Sequence, residues 1–130
     1  KGLTNSNTSG NISLNNLNTK IKEEKQNQHI ENSDQWKEAC AREKQKGNNP
    51  KSYLYKAVDP QAIVDEAVLN PNTITEYTKK SIYPRQYYVC GTEVGKVYDA
   101  KVGDYVPTKK VAIVYSGKGT HVFPVIDNKK

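Results

Sequence analysis

Val111-Ala112-Ile113-Val114-Tyr115-Ser116-Gly117-Lys118-Gly119-Thr120-His121-Val122-Phe123-Pro124-Val125 reads as a β-hairpin. Two runs rich in β-branched and aromatic residues flank Ser-Gly-Lys-Gly, a short polar connection with glycine at hand wherever a positive φ is required. The turn and its exits carry Ser116, Lys118, Thr120 and His121. Two hydroxyls, an ammonium and an imidazole held together on a rigid scaffold can bind a phosphate and move a proton. Polar turns are also the ordinary way to end a surface hairpin, so these residues by themselves leave both readings open.

Working outward, strand character begins upstream at Gln86. Tyr87-Tyr88-Val89-Cys90 and Val94-Gly95-Lys96-Val97-Tyr98-Asp99 precede a turn near residues 101–104, and Pro107-Thr108 leads into the hairpin. Helix signals lie earlier. Asn32-Ser33-Asp34 supplies capping chemistry ahead of residues 35–44, in which Trp36, Ala39 and Cys40 form an inward stripe, and Gly47-Asn48-Asn49-Pro50 ends that helix. Asp59-Pro60 starts a second helix, with a capping carboxylate and a proline at the first helical position. Its buried face is Ala62, Ile63 and Ala67, with Val64 and Val68 beside them, and Asn70-Pro71 stops it. Residues 72–84 read as a polar, irregular basic loop. The expected architecture is α+β, two N-terminal helices packed on an antiparallel sheet of about four strands.

The chain has 130 residues, 35% of them hydrophobic, enough for one domain with a small core. Residues 1–20 are dominated by Asn, Ser, Thr and Gly and read as a flexible linker, with the folded domain spanning 21–130. The net charge is +6, and it is uneven: residues 1–70 hold 10 basic and 9 acidic groups, residues 71–130 hold 10 and 5. The basic excess travels with the hairpin and suits an anionic partner, nucleic acid first. Lys79, Lys80 and Arg85 cluster within it, and nine tyrosines against one phenylalanine give aromatic surface suited to stacking on bases or to half-buried strands.

The chain contains no methionine, so a fragment of a longer polypeptide is expected. The longest apolar run, residues 111–115, falls far short of the roughly 18 to 20 residues of a membrane span. Cys40 and Cys90 sit in helix and strand contexts that suit buried thiols, although one disulfide is the alternative. Cysteines and histidines at 29, 40, 90 and 121 lack metal-site spacing, so no metal is assigned. His29 lies among polar residues, where an imidazole is ordinarily an exposed surface group.

Taken together, these segments resemble the polymorphic toxin type 50 domain. The ordered matches are Lys25-Gln26-Asn27-Gln28-His29-Ile30, Asp59-Pro60-Gln61 with Val64-Asp65, Val94-Gly95-Lys96-Val97-Tyr98, and Pro107-Thr108 through Tyr115-Ser116 to Gly119-Thr120-His121-Val122-Phe123-Pro124. Two departures stand out: Asn32-Ser33 replaces a glycine often found after the first His, and Val114 replaces a His often found before Tyr-Ser. The resemblance implies a C-terminal toxin module of a larger, secreted or delivered polypeptide. It implies a barnase-, EndoU- and RelE-like fold, metal-independent ribonuclease activity without a cofactor, action in the target-cell cytoplasm, and a cognate immunity protein.

In that reading RNA is cleaved through its 2′-hydroxyl to a 2′,3′-cyclic phosphate. His29 and His121 are base and acid, in an order the residues do not fix. Lys118 and Lys25 stabilise charge, Thr120 and Ser116 bind phosphate, Tyr115 stacks or donates a proton, and Lys79, Lys80 and Arg85 hold substrate. Two other classes compete: a non-catalytic module binding nucleic acid or a partner through the basic face, and a toxin performing NAD-dependent ADP-ribosyl transfer. The ribonuclease mechanism predicts that His29 lies in one cleft with Thr120 and His121, and it fails if the two histidines lie on opposite faces.

Overall fold

A computed structural model describes residues 11–127. The chain runs α1 (Glu23–Gln26), α2 (Asp34–Gln45), β1 (Tyr53–Leu54), α3 (Pro60–Leu69), β2 (Ile74–Thr78), β3 (Ser81–Val89), β4 (Gly95–Asp99), β5 (Asp104–Thr108), β6 (Lys110–Ser116) and β7 (Gly119–Pro124), with short 3₁₀ turns at Leu14–Asn16 and Asn27–His29. The architecture is α+β, as the sequence implies. Among the described residues the strands number seven rather than about four, in an antiparallel sheet ordered β2-β3-β6-β7 and a smaller one ordered β1-β4-β5.

The two longer helices, α2 and α3, start where capping chemistry places them. Ser33 caps α2, its Oγ accepting the Trp36 N–H, and Gly47 turns left-handed at φ 78° beyond its end. Asp59 caps α3 by accepting the Gln61 N–H, with Pro60 at the first helical position. Ile63, Val64 and Ala67 are buried, whereas Val68 turns outward at 44% exposure because α3 packs along one side only.

Residues 72–84, expected as an irregular loop, form β2 and the first part of β3. They pair from Ile74 against Tyr87 to Thr78 against Ser81, with an irregularity between Glu76 and Thr78. The polar composition that suggested a loop belongs to an edge strand, whose side chains meet water on more sides than those of an inner strand.

Register assigns each side chain of the larger sheet to a face. Tyr87, Ala112 and Phe123 are in line across β3, β6 and β7, as are Arg85, Val114 and His121. Because side chains alternate along a strand, these six share one face. Gln86, Tyr88, Val111, Ile113, Tyr115, Thr120 and Val122 share the other, where Tyr88, Val111, Ile113, Tyr115 and Val122 form the hydrophobic core with Ile63, Val64 and Ala67 of α3.

The smaller sheet meets the end of β7 at Gly95. A Cβ there would collide with the Tyr53 carbonyl oxygen and lie 2.8 Å from Pro124 Cγ, so only glycine permits this approach. Beyond it, Trp36 of α2 packs edge-on against Tyr53 at 5.1 Å between ring centroids, with Tyr105 5.3 Å from Tyr53. The Trp36 indole N–H and the Tyr105 hydroxyl both donate to the Lys51 carbonyl, at 3.0 and 3.1 Å.

The outer edge of β7 is occupied by the N-terminal segment. Thr120 donates its N–H to the Lys20 carbonyl and accepts from the Lys22 N–H, while Gln26 pairs its side-chain amide with both main-chain groups of Val122. The expected linker's residues 1–10 lie outside the described residues. Its remainder touches the body, with the Ile12 N–H donating to the Ile82 carbonyl and Gln61 Nε2 donating to the Thr19 carbonyl. Cys40 and Cys90 are free, half-buried thiols, and burial pushes the Cys90 thiol up to about 11.

Candidate active site

The face of the larger sheet turned away from α3 carries Glu76, Arg85, Val114 and His121 in one row across its four strands. His29 arrives beside this row from a different part of the chain. The Gln26 amide ties the end of α1 to Val122, and the 3₁₀ turn that follows places His29 alongside β7. Its ring centroid lies 5.9 Å from that of His121, with the two planes 9° apart, and 4.9 Å from that of Phe123. His29 is therefore not a surface group: it is 8% exposed, and its Nδ1–H donates to the Ser52 carbonyl at 3.2 Å. The Lys51 carbonyl hydrogen bonds to Trp36 and Tyr105 hold the residue just before Ser52, so the aromatic cluster supports the strap on which His29 rests.

The His29 pKa is lowered from 6.5 to about 4, by burial first, with the Ser52 hydrogen bond opposing and His121 and Lys51 adding to the fall. His121 is lowered too, by burial first and then by Lys25, Arg85 and Lys51. Both rings are consequently neutral near pH 7 in the free protein. The Ser52 carbonyl can only accept, which fixes the proton of neutral His29 on Nδ1 and leaves a lone pair on Nε2. Two neutral imidazoles ringed by three cations make a place where an anion is favoured, and an anion bound there would raise both histidine pKa values.

Several residues singled out in the sequence converge here and others do not. Lys25 acts on His121, and Arg85 lies in its row with the guanidinium 5.9 Å over the Phe123 ring. Lys79 and Lys80 line a cleft on this face together with Arg85. Thr120 is fully buried, pairs with Tyr115 on the opposite face, and gives its hydroxyl proton to the Asn18 carbonyl. Tyr115 is equally enclosed: its hydroxyl donates to Gln86 Oε1 at 2.5 Å and burial pushes its pKa up to about 12. Ser116 Oγ donates to the Gly119 carbonyl and accepts the Lys118 N–H, closing the turn, and Lys118 is exposed at its tip. The structure thus brings His29 to His121 and leaves Thr120 behind, since neighbours in a strand point to opposite faces. Lys51, Gln26 and Phe123 join the site without a role that the sequence assigns. Alternation from His121 points to Phe123, whereas no local signal marks Lys51.

The profile of the Ntox50 family, bacterial toxin 50, matches residues 21–124. The chain belongs to the bacterial toxin 50 family. No curated protein matches it. The matched span begins at Ile21, which bridges to Thr120, and ends at the last residue of β7, so it contains both histidines and the whole of the larger sheet. Membership makes this a toxin domain. The two departures noted in the sequence both fall at informative places in the toxin domain. Asn32 adopts φ 62°, the left-handed conformation that favours glycine and that Asn tolerates. Val114 sits between Arg85 and His121, so a histidine there would have faced the same site. Among the described residues no three His, Cys, Asp or Glu side chains converge as a metal site would require, and no helix is long and apolar enough to cross a membrane.

Proposed function

We propose that this toxin domain is an endoribonuclease that cleaves RNA by attack of a 2′-hydroxyl on the adjacent phosphate, leaving a 2′,3′-cyclic phosphate and a 5′-hydroxyl. The supporting observation is the stacked His29–His121 pair flanked by Lys25, Lys51 and Arg85. His29 takes the role of base: its Nε2 lone pair accepts the 2′-hydroxyl proton while the Ser52 carbonyl holds the ring. The 2′-oxygen bonds to phosphorus, the bond from phosphorus to the 5′-oxygen breaks, and His121 returns a proton to that oxygen. For this step His121 has to be protonated, a state that the entering phosphate favours by offsetting the surrounding cations. Lys25, Lys51 and Arg85 stabilise the charge that builds on the phosphoryl oxygens.

The reaction uses a substrate hydroxyl and protein side chains, so a chelator leaves it unchanged and DNA, which lacks the hydroxyl, is inert. The test is incubation of the purified protein with total RNA, with and without EDTA, followed by identification of the new ends. Cyclic phosphate ends are expected. His29→Ala and His121→Ala should each reduce cleavage by about 10²- to 10⁴-fold with the fold intact. Loss of cleavage in EDTA, equal cleavage of DNA, or full activity in either variant would overturn the scheme. Expression in the cytoplasm of a bacterium without the immunity protein should be lethal, and should cease to be so with either substitution.

A further inference from the structure

We infer that the cleft beside Tyr83, Arg85 and Tyr87 is a stacking subsite for an unpaired base next to the scissile phosphate, which makes single-stranded RNA the substrate. This rests on the ribonuclease reading and adds to it a second binding element and a substrate class. The cleft has a volume of about 520 Å³, and Lys79, Lys80 and Val114 are among its lining residues, with Glu76 as the one carboxylate beside three cations. That size falls within the range of small-molecule sites. It shares the face of the histidine pair, because Arg85, Val114 and His121 are in one register row. From β3 to β7 is two strand spacings, about 9 to 10 Å, so a chain whose phosphate lies at His121 can lay its neighbouring base in the cleft.

The chemistry of the lining suits a base with its phosphate attached. Tyr83 and Tyr87 are half-buried, which holds their rings while leaving ring surface open. A lysine lies over Tyr87, with Lys110 Nζ 5.5 Å from the ring centre, and Arg85 lies over Phe123. Tyr83 reaches the β6–β7 turn, where its hydroxyl would lie 2.9 Å from a Cβ on Gly117. Aromatic faces interleaved with cations bind single strands with little dependence on sequence, because every base has a π-face. A base inside a duplex is stacked on its neighbours and cannot enter such a cleft.

The probe is a short 2′-O-methyl oligoribonucleotide, which cannot be cleaved, presented as a single strand and as a duplex to the whole domain, with binding followed by fluorescence anisotropy. The wild type should bind the single strand at least about tenfold more tightly. Tyr87→Ala and Tyr83→Ala should each weaken single-strand binding by about fivefold or more, and Tyr87→Phe should retain it. Far-ultraviolet circular dichroism and the thermal unfolding midpoint, which should stay close to the wild type in all three variants, certify their fold. Equal binding of strand and duplex, or unchanged single-strand binding in a folded Tyr87→Ala, would overturn the subsite. Tyrosine-dependent binding without any RNA cleavage would overturn the ribonuclease reading and leave the subsite standing, so the two failures are distinct.

Discussion

His29 carries a pH dependence of folding along with its place in the site. Its pKa is about 4 in the folded chain against 6.5 when free, so the unfolded chain takes up the proton first as pH falls. The resulting stability is complete above about pH 6.5 and is lost progressively down to about pH 4, in total on the order of 3 kcal/mol. Thermal unfolding between pH 7 and pH 4 should show this as a falling midpoint, and His29→Gln should have a visibly shallower fall. Parallel pH curves for the two proteins would contradict it. Asn32 offers a second test, because its φ of 62° is costly for an ordinary side chain. Asn32→Ala should lose about 1 kcal/mol in urea unfolding, whereas Asn32→Gly should match or exceed the wild type. At this scale the sequence is legible for caps such as Ser33 and Asp59, which act on residues two or three positions away. It is mute about the burial of His29, which depends on Ser52, Phe123 and His121, residues 23 to 94 positions distant.

Among the elements, α1 is the one whose presence depends most on tertiary contact. A four-residue helix has no stability of its own, and it is held because Gln26 supplies the edge of β7 with a donor and an acceptor, at 2.8 and 2.7 Å from the Val122 carbonyl and N–H. The same clamp sets the distance between His29, three residues after Gln26, and His121, one residue before Val122. Gln26→Ala would leave two buried main-chain groups of Val122 unpaired, costing about 2 to 4 kcal/mol, and should reduce RNA cleavage through kcat more than through KM. Urea unfolding and steady-state kinetics check both parts, and an unchanged kcat in a folded variant would remove Gln26 from any positioning role. The hairpin of β6 and β7 was readable because both strands alternate around a glycine-bearing turn. The smaller sheet was not, because β1 has two residues and β4 and β5 look like further turns of one meander. What separates them is the contact of Gly95 with Pro124 and the clustering of Trp36, Tyr53 and Tyr105, packing that no local pattern expresses.

For the whole molecule, the uneven charge seen in the sequence acquires a direction. Lys79, Lys80 and Arg85 line the cleft on one face of the larger sheet, while Lys25 and Lys51, from the half of the chain with nearly balanced charge, reach the same face beside the histidines. The net charge of each half was therefore a partial guide, since folding recruits two cations from the N-terminal side. A single strand bound along this face releases counterions for each phosphate it places against a lysine or arginine, giving a logarithmic salt slope of about −0.7 per contact. Lys51→Ala and Lys80→Ala should each make the slope shallower by about that amount and should add when combined, because they act on different phosphates. Lys101 lies in the β4–β5 turn, at the end of the smaller sheet away from Gly95, and Lys101→Ala should leave the slope unchanged. Anisotropy titrations of a 2′-O-methyl single strand between 50 and 200 mM salt measure all of these. If Lys101→Ala matched Lys51→Ala, the attraction would come from net charge spread over the molecule, and the histidine face would lose its claim to direct where RNA binds.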